Sequence, residues 1–332
     1  MKWLTAPISL LFAAVSYLRW KMYKWGIFLH TKKAPAPVIS IGNIALGGTG
    51  KTPCTIWLAR ELKSRGYDPV ILTRGYKRSI KERLYILGNI PEARLAGDEP
   101  ALIASHLSNI PIVVHRDRVE SAKEIGGENG RIFILDDGFQ HLKIHKDVNI
   151  VLFPADHPLS GGSFFPKGNL RDGKWRIDEA DIIILVGGIE EMPVEFNHLK
   201  DRIFNAKKIP TGLFTLDNVH IPWSAIEGKK VVAFSAIGSP ASFNKTLTKV
   251  GAEVTAHKSY KDHHHFTVND INDIENLAEA HGADILITTE KDAIRLAGLQ
   301  SRITTYYIKI GFKPDNPDEI IAKTIELITK EA

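Results

Sequence analysis

Short runs of β-branched and aliphatic residues, each followed by a turn and an amphipathic stretch, set the rhythm of this chain. Val38, Ile39 and Ile41 form the first clear run. It feeds a glycine-rich turn, and CTIWLARELKSRG then continues with apolar residues at helical spacing. From Pro69 onward the runs VILTR, RLYILG, PIVVH, RIFILDD, VNIVLF and DIIILVGG alternate with helical patterns. That alternation predicts an α/β fold, a parallel sheet with helices on both faces. A second series starts near Lys229 with KKVVAFSAIGSP and runs through EVTAHKSY, DILITTEKD and TTYYIKIGF. Between the two series, Asn205–Gly228 with Pro210 and Pro222 reads as a linker. The chain closes with an amphipathic helix over Pro317 to Glu331, and it contains no internal repeat or low-complexity tract.

The first 33 residues follow a different pattern. Leu4 to Leu18 is uncharged and mostly apolar, bracketed by Lys2 and Arg19. As a helix this stretch is roughly 22 Å long, short of the about 30 Å of a bilayer core. Trp3, Trp20, Trp25, Tyr17 and Tyr23 crowd the same segment, where headgroup-level aromatics are expected. The pattern therefore predicts a helix lying in the membrane interface, with its cations on acidic headgroups. The alternatives are a helix packed on its own domain and a cleaved leader, for which Ala34-Pro35-Ala36-Pro37 makes a poor cleavage site.

Composition changes this picture in one respect. The 332 residues are 44% apolar and 24% charged, an ordinary globular balance long enough for two modest domains. The net charge of +5 is local: residues 1–33 hold six Lys/Arg and no acid, and the remaining 37 bases nearly balance 38 acids. The basic character thus belongs to the N-terminal segment, and no nucleic-acid partner is expected. A single cysteine, Cys54, excludes an internal disulfide and fits a reducing compartment.

The turn after the first run is where the chemistry starts. Ala45, Leu46, Gly47, Gly48, Thr49, Gly50, Lys51 and Thr52 lie between strand and helix, as a phosphate-binding loop does. Glycines let backbone N–H groups converge on an anion, and the helix adds its positive end. Lys51 is placed to reach the β- and γ-phosphates and Thr52 to take a position on Mg²⁺. Ala45 stands where the usual pattern has its first glycine. The alternative is an ordinary glycine-rich turn.

Five more groups carry chemistry. RIFILDDG ends an apolar run in Asp136 and Asp137, the arrangement expected of a strand that presents carboxylates to Mg²⁺ beside the loop. Gln140 and His141 follow as polar donors where a second substrate sits. Gly97-Asp98-Glu99-Pro100 opens a helical pattern, so Asp98 reads as an N-cap, while a base or a metal ligand at Asp98 and Glu99 is the other reading. Asp262-His263-His264-His265 is the densest titratable cluster, but consecutive side chains alternate faces, which favours one oriented histidine over a metal site. Asn169 and Arg171 close a long Gly/Pro-rich loop, where a guanidinium can clamp a phosphate. Thr289-Glu290-Lys291-Asp292 is compatible with a base-reading segment or with a helix cap.

Taken together these residues resemble the tetraacyldisaccharide 4'-kinase family. The resemblance rests on Gly42-Asn43 with GGTGKTP, Thr73-Arg74-Gly75-Tyr76, Gly97-Asp98-Glu99-Pro100, Asp136-Asp137-Gly138-Phe139-Gln140-His141, Gly168-Asn169-Leu170-Arg171, Asp262-His263-His264 and Thr289-Glu290-Lys291-Asp292. Asp172-Gly173 departs from the family's Glu-Pro, and Phe164-Phe165-Pro166-Lys167 from its Leu-Pro-Ala tendency. The resemblance implies two α/β/α sandwich domains with the site in the cleft, the first with a P-loop NTPase-like parallel sheet. On this sequence that gives an interfacial helix over 1–33, a kinase domain over 34–222 and a smaller domain over 223–332.

It further implies ATP- and Mg²⁺-dependent phosphoryl transfer to the 4'-hydroxyl of a tetraacyl disaccharide 1-phosphate, forming lipid IVA. The expected setting is the cytoplasmic face of the inner membrane, bound peripherally, with the glycolipid and the membrane surface as partners and no protein partner. Asp98 and His263 correspond to the family's catalytic dyad, with Lys51 and Asp137 assisting. Thr52, Asp136, Asp137 and Glu99 are the expected metal set, and Arg74, Gln140, His141, Asn169 and Arg171 the expected acceptor-side set. Two rival readings are a metal-chaperone GTPase, suggested by the histidine run and Thr-Glu-Lys-Asp, and a membrane-docked P-loop ATPase switch.

Overall fold

The computed structural model describes residues 5–187, 194–296 and 298–330. Lys2, Trp3, Leu4, Gly188 and Glu331 of the sequence reading lie outside them. In chain order the elements are α1 (Ala6–Trp25), β1 (Val38–Gly42), α2 (Lys51–Ser64), β2 (Asp68–Thr73), β3 (Leu84–Ile86), α3 (Ala93–Ala96), α4 (Asp98–His106), β4 (Ile112–Val114), α5 (Arg118–Ile125), β5 (Arg131–Asp136), β6 (Val148–Pro154) and β7 (Ile182–Val186). There follow β8 (Ile203–Thr215), β9 (His220–Ile221), β10 (Lys230–Ser235), α6 (Pro240–Lys249), β11 (Glu253–Ser259), α7 (Val268–Ala280), β12 (Ile285–Thr289), α8 (Glu290–Arg295), β13 (Thr304–Pro314) and α9 (Pro317–Lys330).

Every apolar run named above becomes a strand. The central ones are buried on both faces, which is why they read as unbroken hydrophobic stretches: β1 and β7 are buried throughout, β5 at all but its first residue. Twelve strands lie in the order β11-β10-β12-β13-β8-β7-β6-β1-β5-β2-β4-β3, with β9 beside β8. Pairing is parallel except for β3 with β4 at one edge, β8 with β9, and β8 with β13 in the middle. β1 sits between β5 and β6, with β2 to β5 on one side of it and β6 to β8 on the other, so strand order reverses direction here. Ligands of open α/β sheets bind at the carboxyl ends of strands at such a switch point. Ile41 is in register with Asp136, so the loops after β1 and β5 lie side by side there.

Residues 205–228, expected to be a linker, behave otherwise. β8 is a long strand whose start pairs with β7 and whose remainder forms an antiparallel ribbon with β13. Pro210 is tolerated because the ribbon carries a register shift at Lys309/Ile310, and a bulge is where a strand accommodates proline. The tail of the chain packs back on the first half. Ile320, Ile321 and Ile328 of α9 join the core of the first half beside α2, so the chain returns there after β13. The apolar face of α9 was visible in its sequence; its partner was not.

α1 packs on the first half through few side chains. Trp20 donates its indole N–H to Glu179, and Ser16 donates to Asp172 at 3.2 Å. Phe164 lies against both Phe12 and Trp175, so the loop that departs from the family pattern is part of the seat of α1. Ile8, Leu10, Leu11, Val15 and Leu18 point outward and are exposed. Among the described residues no helix is long and apolar enough to cross a membrane.

Candidate active site

The turn after β1 has the backbone a phosphate cradle needs. Gly50, the residue before α2, sits at φ +91°, a left-handed conformation that glycine adopts without a Cβ penalty. Leu46, Gly47 and Gly48 are exposed, while Ala45 and Thr49 are buried and fix the two ends of the loop. The Ala45 substitution is accommodated at 3% exposure inside a core of Ile44, Phe139 and Leu170. Lys51 reaches 3.2 Å to the Asn43 side-chain oxygen and 3.5 Å to Asp137. Thr52 stands in the first turn of α2, partly exposed.

Asn43 was not singled out by the sequence as a site residue, yet it organises this end of the sheet. Fully buried, it donates to the Thr49 hydroxyl at 3.0 Å and accepts from both Lys51 and Arg171. The signal was available: a polar residue ends an otherwise apolar strand and cannot be buried without partners. Gln140, expected to face the acceptor, instead turns inward and donates to the Asn43 carbonyl at 2.8 Å.

The two aspartates after β5 differ in environment. Asp137 sits at φ +50° and is clamped by Arg171 through bonds of 2.7 and 3.0 Å. Burial acts to raise its pKa, but Lys51 and Arg171 outweigh that and hold it well below the usual carboxylate range. Among the described residues the Asp136 carboxylate accepts only from hydroxyls, Thr55 at 3.1 Å and Thr73 at 3.5 Å. Burial, with Glu99 and Asp137 nearby, pushes it up to about 7. Negative charge around a buried acid favours a nearby cation. The donors are hard oxygens, which suits Mg²⁺. Among the described residues, however, no three of His, Cys, Asp or Glu gather into a metal cage, so Asp136, Asp137 and Glu99 do not converge on one point. Magnesium commonly takes one or two carboxylates and completes its shell with phosphate and water.

Asp98 is not a cap. Gly97 at φ +99° occupies that position, and Asp98, the first residue of α4, makes no capping bond. Its carboxylate instead crosses to the second half. Oδ2 lies 2.7 Å from His263 Nδ1, and it accepts from Arg295 Nη2 at 2.6 Å and Nε at 3.0 Å. Burial acts to raise the Asp98 pKa, but these hydrogen bonds prevail and keep it well below the usual range. His263 is held at φ +64° with Tyr76 edge-on at 5.5 Å. Residues held in such strained conformations cluster at functional sites.

Arg295 is the second residue the sequence did not flag. Its side chain is 1% exposed, anchored within the second half on Asp292 at 2.7 Å and the Ala236 carbonyl at 3.0 Å. Thr289 caps α8 and shares a hydrogen bond with Asp292, which in turn holds Arg295. The histidine run splits. His264 goes to Asp270 at 3.1 Å and stacks on Tyr260, while His265 is exposed. Further bonds tie the halves together here, His106 to Glu290 at 2.8 Å and Lys291 to Glu99 at 3.9 Å.

The remaining acceptor-side residues are less engaged. Arg74 and Asn169 are exposed beside this face, Asn169 offering its carbonyl to Leu46 N–H at 2.6 Å. His141 is largely enclosed, with Nε2 unpartnered among the described residues. Burial, then Arg118 and Lys146, push it down to about 3, so it is neutral at physiological pH.

This geometry meets its relatives at the level of the whole chain. Residues 1–326 match the model of the family described as tetraacyldisaccharide-1-P 4'-kinase. The chain belongs to this family. A tetraacyldisaccharide 4'-kinase of Chlamydia abortus is 37% identical over 298 residues, covering 88% of this chain and 80% of that protein. One from Syntrophus aciditrophicus is 36% identical over 313 residues, covering 88% and 83%. The crystal structure of LpxK from Aquifex aeolicus, described as in complex with ATP, superposes with a TM-score of 0.77. It is 31% identical and covers 98% of this chain and 99% of that one. As a family member the chain is a kinase, a phosphotransferase of lipid A biosynthesis. Neither the metal-chaperone nor the ATPase-switch reading survives that assignment.

Proposed function

We propose that this chain transfers the γ-phosphate of ATP to the 4'-hydroxyl of a tetraacyl disaccharide 1-phosphate, with Asp98 and His263 as the residues that receive the hydroxyl. The observation that carries the assignment of roles is the 2.7 Å contact between these two, contributed from opposite halves of the molecule. Three donors occupy Asp98 Oδ2, and among the described residues none occupies Oδ1. Oδ1 is thus the oxygen available to a sugar hydroxyl, with His263 fixing its orientation. The 4'-oxygen forms its bond to the γ-phosphorus, the bond to the β–γ bridging oxygen breaks, ADP leaves, and the hydroxyl proton passes to Asp98. A carboxylate with so low a pKa is a weak base, so its larger contribution is alignment, with proton transfer late. Phosphoryl transfer, which is governed mainly by positioning and charge, accommodates this.

Residues 45–52 cradle the phosphates, Lys51 follows the migrating charge, and Arg171 keeps Asp137 in place. Thr52, Asp136 and Asp137 would hold Mg²⁺ with the nucleotide's own oxygens, and Glu99 sits behind them. The ion supplies neutralisation of the phosphate charge. Arg74, His141 and Asn169 face the acceptor. The exposed apolar side of α1, with Arg19, Lys21 and Lys24 on the same helix, supports docking on the cytoplasmic membrane surface, where such a glycolipid resides. The halves, 34–222 with α9 and 223–314, close on each other about the β8–β13 ribbon.

The test is direct. The full chain, ATP, Mg²⁺ and tetraacyl disaccharide 1-phosphate in mixed micelles should give a product heavier by one phosphoryl group, located at the 4'-position. A chain that hydrolyses ATP and leaves the glycolipid unchanged contradicts the proposal.

A further inference from the structure

The ribbon that joins the two halves also touches the phosphate loop. Lys208 lies on β8 just past Ala206, the last residue paired with β7, and stands opposite Phe312 on β13. Its ammonium donates to the Gly48 carbonyl at 3.0 Å. Its Cδ and Cγ lie 3.5 and 3.7 Å from the position a Cβ on Gly50 would take, so the stem runs along the loop. Lys51 and Arg171, also beside the loop, already face Asp137. Lys208 has no such partner among the described residues; only Asp156 attracts it, from further away.

A single amide carbonyl is a modest partner for an ammonium, and a phosphate oxygen is a stronger one. The loop's N–H groups are arranged for an anion, and the flexible lysine stem can follow it. We propose that Lys208 is a second phosphate-binding lysine, which exchanges the Gly48 carbonyl for an oxygen of a nucleoside triphosphate and so ties the inter-half ribbon to occupancy of the loop. This rests on the nucleotide reading above. The competing role is a clip that merely shapes the loop.

Binding to the full chain separates these roles. ATP and inorganic triphosphate are measured by calorimetry and adenosine by ligand-observed NMR, for wild type, Lys208→Met, Lys208→Gln and Lys208→Arg. Melting temperatures are taken without ligand. Loss of one charge-assisted bond predicts that Met and Gln weaken ATP and triphosphate by about tenfold or more. Adenosine binding and unliganded melting should stay as in wild type, and Arg should remain within about threefold for the triphosphates. If Met and Gln bind ATP as wild type does, or lose adenosine in the same proportion as ATP, the lysine is a clip and the inference falls. If wild type binds neither ATP nor triphosphate, the nucleotide reading falls and this inference with it.

Discussion

At Asp98 one carboxylate oxygen accepts from His263 and twice from Arg295, and among the described residues no donor is recorded on the other. Arg295 is the residue on which that arrangement depends, since it holds Asp98 and Asp292 at once from a site closed to water. Removing one partner of a buried charge network leaves the others uncompensated, at a cost of about 3–5 kcal/mol. Arg295→Met should therefore lower thermal stability strongly and turnover with it. Arg295→Lys should recover part of the stability but little of the turnover, because an ammonium cannot reproduce the fork on Asp98. Denaturant melts beside steady-state rates check this, and a stable, fully active Arg295→Met chain contradicts it. His141 supports a prediction in pH. Its folded pKa, about 3 against 6.5 for a free histidine, means the unfolded chain binds the extra proton between those values. Its contribution to stability is full above 6.5 and falls as pH drops below that. His141→Gln should flatten the slope of stability against pH across that window. An unchanged slope would place the acid sensitivity elsewhere.

At the scale of elements, the strands were legible because a strand buried on both faces must be a short apolar run bounded by turns. Val38–Gly42 and Arg131–Asp136 could be placed from sequence, along with the loop and the acids that follow them. Two features were not legible. β8 carries Lys207, Lys208 and Pro210, a linker-like composition, and its pairing with β7, β9 and β13 makes it a strand. α9 shows an apolar face, but periodicity does not say which core that face covers. Likewise Asp98 read as a cap from local spacing, and only the family resemblance pointed to His263. Arg295, 197 positions from Asp98 in the chain, had no local signal at all. For α1, the outward Leu10, Leu11 and Leu18 are exposed by 60–71% and contribute little to the folded core. Replacing all three with Ser should leave the melting temperature nearly unchanged while releasing the chain from anionic vesicles in a sedimentation assay. High salt should weaken binding of the wild-type chain in part, since exposed charge attraction is screened beyond about 10 Å at 0.1 M. A large loss of stability in the triple variant would instead make this face part of the fold.

At the scale of the molecule, the Asp98–His263 contact is built from different halves. α4 brings Asp98 from the first, the loop after β11 brings His263 from the second, and α8 locks them through Arg295. In the proposed role, such a site is complete only when the halves meet, a closure that would exclude water at the moment of transfer. The measurement that tests this most directly is a double-mutant cycle on turnover with Asp98→Asn, His263→Ala and the pair, using ATP and the tetraacyl disaccharide 1-phosphate. Each single change should lower the rate by roughly 10²–10⁴-fold, the usual worth of a positioned proton acceptor. The double should fall little further, because residues acting as one unit are not additive. ATP affinity should survive in all three, since the phosphate loop is untouched. Losses that multiply in the double variant, or a fully active Asp98→Asn chain, would contradict a dyad assembled across the two halves.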